Sequence, residues 1–158
     1  MKQRTTGQMV MNTIPNSIEL IPDIAGPISE GDGESQLLAI SEMSELFNVT
    51  LRTLRFYEEK GLLNPVRRGA RRFYRPKDIG RMKVILQAKK IGLTLAEVRR
   101  IIKLVESNSP RKDQLVELQE ICVSQEKLLS EQEIALKEQI AEVNGVMSAL
   151  GVMIEAES

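Results

Sequence analysis

The sequence predicts a mainly α-helical protein, in which a small domain of short helices and one β-hairpin precedes a single long coiled-coil helix. Three observations lead to this prediction. Apolar residues recur at helical spacing in four short segments between residues 38 and 105. An arginine-rich stretch, RRGARRFYR at 67–75, interrupts them with the central glycine of a hairpin. Beyond residue 111, apolar residues recur every seven positions.

The composition excludes several classes of protein. With no histidine and a single cysteine, Cys122, the 158 residues cannot form the common zinc-ligand sets, an internal disulfide or the histidine-dependent catalytic sets. We therefore expect neither an enzyme nor a bound metal or cofactor. No apolar run approaches the roughly 18 residues of a membrane span. Residues 1–30 lack the apolar region of a secretory signal, so we expect a cytoplasmic protein with no membrane partner.

Charge is strongly segregated along a chain whose net charge is zero. Residues 50–112 hold eighteen basic and five acidic side chains, whereas residues 1–49 and 113–158 carry net charges of −5 and −8. A cationic block of this density favours a polyanionic partner over a merely solvated surface. Charge alone does not separate DNA from RNA or from an anionic membrane.

Residues 1–36 are predicted to form a flexible tail. They scatter proline, glycine, serine and acidic residues without a sustained period of 2 or 3.6. The apolar stretch Ile18–Ile24 is able to dock on another surface, but disorder is the preferred interpretation.

Residues 38–61 have the pattern of two short helices joined by a tight turn. The first helix carries the apolar stripe Ile40, Met43, Leu46 and Phe47, with Ser41 as its expected N-cap, and stops near Asn48. The second starts after Thr50 and is closed by Gly61. In a helix-turn-helix, the N-terminal residues of the second helix face the bases of DNA. That end carries Thr50, Arg52, Thr53 and Arg55, whereas Leu51, Leu54 and Phe56 are expected to pack in the core or the turn.

The arginine-rich stretch predicts a hairpin beside this helix-turn-helix, an arrangement called a wing. Gly69 permits the reversal, and residues 65–74 supply two short strands. Guanidinium groups on such a hairpin reach phosphates or the minor groove. Because successive residues of a strand point to opposite faces, either Phe73 or Tyr74 anchors the hairpin on the core.

Two further helices complete the domain, which is predicted to cover residues 37–108. Pro76 suits the first position of a third helix that ends at Gly92. Thr94 and Glu97 form a capping box that opens a fourth helix, which continues through about Val105.

These motifs, in this order, resemble the DNA-binding domain of the MerR family of bacterial transcription regulators. The resemblance covers about residues 38–105 and rests on ISEMSELFNVTLRTLRFYEEKGLL, then R-F-Y, then D-I-x-R-M, then A-K-K-I-G-L-T-L-A-E-V. It implies a winged helix-turn-helix followed by a long helix that dimerises. By match, it implies DNA contacts for Arg52, Arg55 and Tyr57 on the second helix, for Arg68, Arg72 and Tyr74 on the wing, and for Lys89 on the third helix. Arg71 stands where the family commonly has a tyrosine, and we include it among the wing contacts.

Residues 111–158 are predicted to form one coiled-coil dimerisation helix. Apolar residues and Cys122 recur every seven positions, with a second series at the partner positions. The predicted seam consists of Leu115, Leu118, Cys122, Leu129, Leu136, Val143, Val146 and Leu150. Glutamines at 125, 132 and 139 occupy the other partner positions, where they weaken a dry core or fix the register. We interpret Cys122 as a structural thiol rather than a sensor, and the resemblance implies antiparallel pairing of the helix.

The favoured hypothesis is a homodimeric, sequence-specific transcription regulator that binds double-stranded DNA in the nucleoid. The resemblance implies inverted half-sites, and distortion of promoter DNA so that RNA polymerase can engage it. Activation and repression fit equally. The alternative is a low-specificity architectural or chromosome-organising protein, for which competitor DNA should remove most of the affinity. No effector is identified by the sequence.

Overall fold

The computed structural model describes residues 23–26 and 37–158. In chain order, the described residues form a short 3-10 helix (Asp23–Ala25), strand β1 (Leu38–Ala39), helices α1 (Ile40–Phe47) and α2 (Leu51–Glu59), strands β2 (Val66–Arg68) and β3 (Arg71–Tyr74), and helices α3 (Pro76–Lys90), α4 (Leu95–Val105) and α5 (Arg111–Glu157). The predicted fold class is confirmed, since a helix-turn-helix with a hairpin wing precedes one long helix. The chain divides into two compact units after Leu118.

The core of the first unit is built from one apolar face of each short helix. Met43 of α1, Leu54 of α2, Met82 of α3 and Ile101 of α4 are fully buried. Burying a side chain of this size contributes about 1.5 to 3 kcal/mol. Burial of these side chains therefore stabilises the packing of α1 against α2 and of α3 against α4.

The turn between α1 and α2 is held by local hydrogen bonds. Asn48 adopts a left-handed conformation with φ of 51°, which asparagine tolerates better than most residues. The N–H of Val49 donates to the carbonyl of Ser44 at 3.0 Å. Thr50 then caps α2 as predicted, because its hydroxyl accepts a hydrogen bond from the N–H of Thr53 at 3.1 Å.

The predicted hairpin is present and forms part of a three-stranded antiparallel sheet with strand order β1-β3-β2. Arg67 pairs with Arg72 across the hairpin, and Gly69 in the turn has a φ of 64°. The third strand, β1, was not predicted, and Leu38 pairs there with Tyr74. Two residues are too few to show the alternation that identifies a strand.

Strand β1 also corrects the predicted start of α1. The residue that caps the helix is Ala39, without a side-chain hydrogen bond, and not Ser41. Ala39 pairs with Phe73 in the sheet and is itself the extended residue that precedes the helix, so Ser41 already lies within the first helical turn.

Helices α3 and α4 begin as the sequence indicates. The side chain of Asp78 in α3 accepts hydrogen bonds from the N–H groups of Asn64, at 3.0 Å, and Arg75, at 3.4 Å. It thereby ties the start of α3 to the segment that precedes the wing. The predicted capping box of α4 is present, with the N–H of Thr94 donating to Glu97 at 2.7 Å.

Residues 23–26, which were assigned to the flexible tail, pack on the folded domain. Ile24 and Ala25 are only 5% and 2% exposed. The N–H of Ile24 donates to the side-chain oxygen of Gln87 in α3. A Cβ added to Gly26 would lie 3.3 Å from the side chain of Val105, the last residue of α4. The interpretation of disorder is therefore wrong for these four residues, and the rest of the stretch Ile18–Ile24 lies outside the described residues.

Replacing Ile24 with alanine should destabilise the full chain by about 2 kcal/mol, the lower end of the range for a buried isoleucine, because a short segment can relax around the gap. Urea unfolding monitored by circular dichroism measures this loss. Asp23→Ala, an exposed neighbour in the same turn, is the control and should be close to neutral. Equal, small effects of both substitutions would show that the segment does not contribute to stability.

The second unit consists of residues 119–158, nearly all of which belong to α5. Its later part exposes many apolar side chains, among them Leu129, Leu136, Val143 and Leu150, at 45%, 56%, 57% and 51%. In the part of the chain that the structure describes, no helix is both long enough and apolar enough to cross a membrane.

Candidate nucleic-acid interface

The first turns of α2 present the residues that were predicted to face DNA bases. Arg52 and Arg55 are exposed, and neither forms a hydrogen bond or ion pair with another described residue. The hydroxyl oxygens of Thr50 and Thr53 lie 2.9 Å apart and share a hydrogen bond. Two unpaired guanidinium groups therefore stand beside hydroxyl groups that are already engaged in capping the helix.

The inward face of α2 differs from the prediction. Leu54 and Tyr57 are buried, whereas Leu51 and Phe56 are 41% and 43% exposed. Residues three apart share a helix face and residues two apart do not, so Phe56 falls on the far side of the helix from Leu54. There the Phe56 ring makes an edge-to-face contact with the ring of Tyr57, with centroids 5.6 Å apart. The ammonium group of Lys60 lies 5.5 Å from the centroid of the Phe56 ring.

Tyr57 and Tyr74, two of the predicted DNA contacts, are core residues. They are 2% and 0% exposed, and among the described residues neither hydroxyl has a hydrogen-bond partner. Burial raises the pKa of Tyr74 above its ordinary value of 10.0, and the nearby carboxylate of Glu58 acts in the same direction. The prediction of DNA contact is corrected for both rings, because a buried hydroxyl does not reach a phosphate. Tyr74 is instead the ring that anchors the wing.

The wing arginines divide into two groups. At the base of the hairpin, Arg67 and Arg72 both bind Glu58 of α2, with N–O distances of 3.0 Å and 2.8 Å. Arg68 and Arg71 pair with each other across the end of the hairpin, next to the turn, and both are exposed. Glu58, which follows the buried Tyr57 on α2, was not among the predicted site residues.

Helix α2, whose first turns were predicted to face DNA bases, is called the recognition helix below, and a recess of about 380 Å³ lies between this helix and the wing. Arg55 of α2 and Arg71 and Arg72 of β3 line it. Residues 39–41, at the start of α1, form another part of its wall. The N-terminal end of a helix carries unpaired N–H groups and partial positive charge. Guanidinium groups around such an end suit an oxyanion such as phosphate.

Other arginines of the cationic block have structural partners. Arg81 binds both carboxylate oxygens of Glu106, at 2.7 Å and 2.8 Å, and donates to the carbonyl of Leu62 at 3.1 Å. The hydrogen bond to Glu106 raises the pKa of Arg81 above its ordinary value. Arg99 donates to the carbonyl of Lys60, the C-cap of α2, at 2.6 Å. These contacts join α3 and α4 to the end of the recognition helix.

Lys89, the predicted contact on the third helix, is exposed in the last turn of α3. It lines a mainly apolar depression of about 260 Å³ together with Phe56 and Tyr57 of α2. The structure therefore places Lys89 beside the recognition helix, although Lys89 follows Phe56 and Tyr57 by more than thirty positions in the sequence.

The predicted dimerisation residues differ in their exposure in the single chain and fall into three classes. Leu118 is only 4% exposed in the single chain and is committed to the first unit, which corrects its assignment to the seam. Cys122 is half-buried. The remaining predicted residues are 45% to 57% exposed, namely Leu115, Leu129, Leu136, Val143, Val146 and Leu150. Among the described residues, no group of three or more histidine, cysteine, aspartate or glutamate side chains is placed to hold a metal ion.

Two sequence families match the chain. Residues 38–104 match the family described as MerR HTH family regulatory protein, and residues 79–153 match the family described as MerR, DNA binding. Among relatives, the HTH-type transcriptional regulator CueR of Salmonella typhi is 33% identical over 75 residues, which are 46% of this chain and 53% of CueR. YyaN, an uncharacterized HTH-type transcriptional regulator of Bacillus subtilis, is 36% identical over 69 residues, 42% of this chain and 50% of YyaN.

Solved structures include similar chains. A MerR family transcriptional regulator from Bacillus cereus has a TM-score of 0.48 and 27% identity, over 72% of this chain and 78% of that chain. HiNmlR, a MerR family regulator lacking the sensor domain that was crystallised bound to promoter DNA, has a TM-score of 0.49 and 23% identity, over 66% and 79%. The chain spans about half the length of the curated relatives that it matches.

The two family matches overlap and together extend from residue 38 to residue 153. They include the helix-turn-helix, the wing and most of α5. Because the matched family consists of DNA-binding regulators, the expectation that the protein is not an enzyme is confirmed. The resemblance in the sequence motifs is confirmed as well, and the chain belongs to the MerR family of helix-turn-helix regulatory proteins.

Proposed function

We propose that the protein is a homodimeric, sequence-specific transcription regulator that binds double-stranded DNA at promoters. The observation that carries this proposal is that the recognition helix and the wing meet at one recess, where Arg55 of α2 and Arg71 of β3 are exposed. With Arg71 on a phosphate and Arg55 on a base edge beside it, the wing and the recognition helix would engage the same stretch of DNA together. Family membership supports the same role.

In this proposal, Arg52 and Arg55 read bases. Both are exposed and unpaired among the described residues, and arginine recognises guanine through two parallel hydrogen bonds in the major groove. Thr50 and Thr53, whose hydroxyls are shared with the helix cap, contact the backbone of the DNA. Arg68, Arg71 and Lys89 contact phosphates and set the register of the protein on the duplex.

The exposed apolar face of α5 is proposed to pair two copies of the chain. Over its second half, apolar residues alternate in steps of four and three, which is the spacing of a coiled-coil seam. This stripe consists of Leu136, Ile140, Val143, Met147, Leu150 and Ile154, all of them exposed in the single chain. It includes Ile140, Met147 and Ile154, which the predicted seam omitted. The family resemblance supports antiparallel pairing.

A dimer of this kind has two recognition helices related by two-fold symmetry, so it is expected to bind inverted half-sites. As part of the proposal, the DNA between the half-sites is distorted so that RNA polymerase can use the promoter. The proposal also implies that the protein acts on chromosomal DNA in the cytoplasm, that is, in the nucleoid.

Selection of bound fragments from a random DNA library tests this function. Enrichment of one motif that repeats in inverted orientation at a constant spacing would support a dimeric, sequence-specific regulator. If sequencing of the bound pool reveals no enriched motif, the architectural alternative replaces the proposal.

Arg55→Ala should cost about 1 to 3 kcal/mol of binding to the selected site and flatten the preference at one base position. Lys103→Ala removes the same charge from an exposed position on α4 and is the matched control. Fluorescence anisotropy with the selected site and with each single-base variant measures both effects. An equal loss on selected and random DNA would make Arg55 a phosphate contact instead of a base contact.

A further inference from the structure

Glu58 stands on the recognition helix between two arginines of the wing. Its Oε1 lies 3.0 Å from Nη2 of Arg67 on β2, and its Oε2 lies 2.8 Å from Nε of Arg72 on β3. The side chains of Glu58 and Arg72 are 20% and 24% exposed, whereas that of Arg67 is 59% exposed. A partly buried ion pair is screened less by salt than an exposed one, so the bond to Arg72 is the stronger of the two.

We propose that Glu58 is a specificity-determining residue, which holds Arg67 and Arg72 on the protein and so keeps them from binding phosphates of any DNA. This inference rests on the proposed function, since it assigns a role within DNA binding. It also changes the role of Arg72, which the family resemblance had placed among the DNA contacts. Glu58 is a positioning residue, because it acts through the two arginines.

Two physical effects give Glu58 this role. First, every arginine that neutralises a phosphate releases counterions and adds about 0.9 to the slope of log affinity against log salt, whatever the base sequence. Two arginines bound to Glu58 make no such contribution. Second, the bidentate carboxylate joins both strands of the hairpin to α2, and thereby fixes the position of the wing relative to Arg52 and Arg55.

Non-specific binding is governed by phosphate contacts, whereas discrimination comes from contacts with base edges. Restraining two arginines of the wing removes phosphate contacts that any duplex would offer, and fixing the wing against α2 keeps Arg52 and Arg55 aligned with base edges, which favours the selected site alone. The ratio between the two affinities rises as a result, and this ratio decides how much of a regulator occupies its site in a genome.

The test compares Glu58→Gln with Glu59→Gln in the full chain. Glu59 is the next residue of α2, is exposed, and forms no hydrogen bond or ion pair with another described residue. Both substitutions remove one negative charge from the same end of the helix, but only the first releases arginines. Binding of the selected site and of a random duplex of the same length is measured across a series of salt concentrations.

For Glu58→Gln we expect the salt slope on random DNA to become steeper by about one to two units. We also expect the ratio of selected-site to random affinity to fall about tenfold. Glu59→Gln should leave both quantities close to those of the unsubstituted protein. A purely structural role would weaken binding to both DNAs and would not steepen the slope, and that result would overturn the inference.

Arg72→Gln tests the inference independently if Glu58→Gln proves poorly folded. If Glu58 holds Arg72 away from DNA, this substitution leaves the salt slope unchanged. A slope that becomes shallower by about one unit would show that Arg72 contacts a phosphate and would contradict the inference. Failure of the proposed function has a different signature, because the unsubstituted protein would then show no preference between the selected site and random DNA.

Discussion

Replacing Val143 with glutamate should convert the protein from dimers to monomers and lower its affinity for the selected site by about 100-fold or more. Val143 is 57% exposed in the single chain and lies in the middle of the apolar stripe on α5. In a symmetric dimer, each substitution appears twice, and a carboxylate buried in an apolar seam without a partner costs several kcal/mol. Loss of pairing removes the second half-site from each binding event.

Sedimentation equilibrium gives the mass of the particle, and anisotropy gives the affinity for DNA. Ser148→Glu adds the same charge to α5 but off the apolar stripe, so it should leave both the mass and the affinity unchanged. A Val143→Glu protein that remains dimeric would show that the apolar stripe is not the dimer seam.

Tyr74→Ala should destabilise the domain by about 3 to 5 kcal/mol, the range for removal of a buried aromatic ring. Tyr74 is fully buried, ends β3 and pairs with Leu38 of β1, so its ring joins the wing to the core. Tyr74→Phe keeps the ring and removes a buried hydroxyl that has no partner among the described residues. That substitution should be neutral or slightly stabilising, because an unsatisfied polar group is removed from the interior.

Urea unfolding of the two variants distinguishes a core role of Tyr74 from a DNA contact. A phenylalanine variant with unchanged stability but weaker DNA binding would restore Tyr74 to the interface. The pH dependence is a second readout. Since burial raises the pKa of Tyr74 above 10.0, the unfolded chain loses this proton first as the pH increases. Stability should therefore fall above about pH 10, and part of this fall should be absent from Tyr74→Phe.

The sequence predicts elements best where a pattern extends over several turns. The helices α2, α3, α4 and α5 were identified from apolar spacing and caps, since a helical period repeats within one segment. Strand β1 was missed because Leu38 and Ala39 acquire their strand conformation only by pairing with β3. The docking of Ile24 was missed for the same reason, because the residues that cover it come from distant parts of the chain.

The candidate interface was predictable in its location but not in its detail. The density of arginine identified the wing, and the helix-turn-helix identified Arg52 and Arg55. Nothing in the local sequence separates Arg72, which binds Glu58, from Arg71, which has no partner among the described residues. Burial of Tyr57 likewise depends on how α2 packs, and a match to a family pattern does not determine it.

The proposed function is tested most directly by the ratio of the affinities for the selected site and for a scrambled duplex of the same length, measured at one salt concentration near 0.15 M. A dimeric regulator that reads bases through α2 should prefer the selected site by about 10³-fold or more. A ratio close to one, with both affinities falling equally steeply as salt is added, would contradict sequence-specific regulation and would indicate binding through phosphates alone.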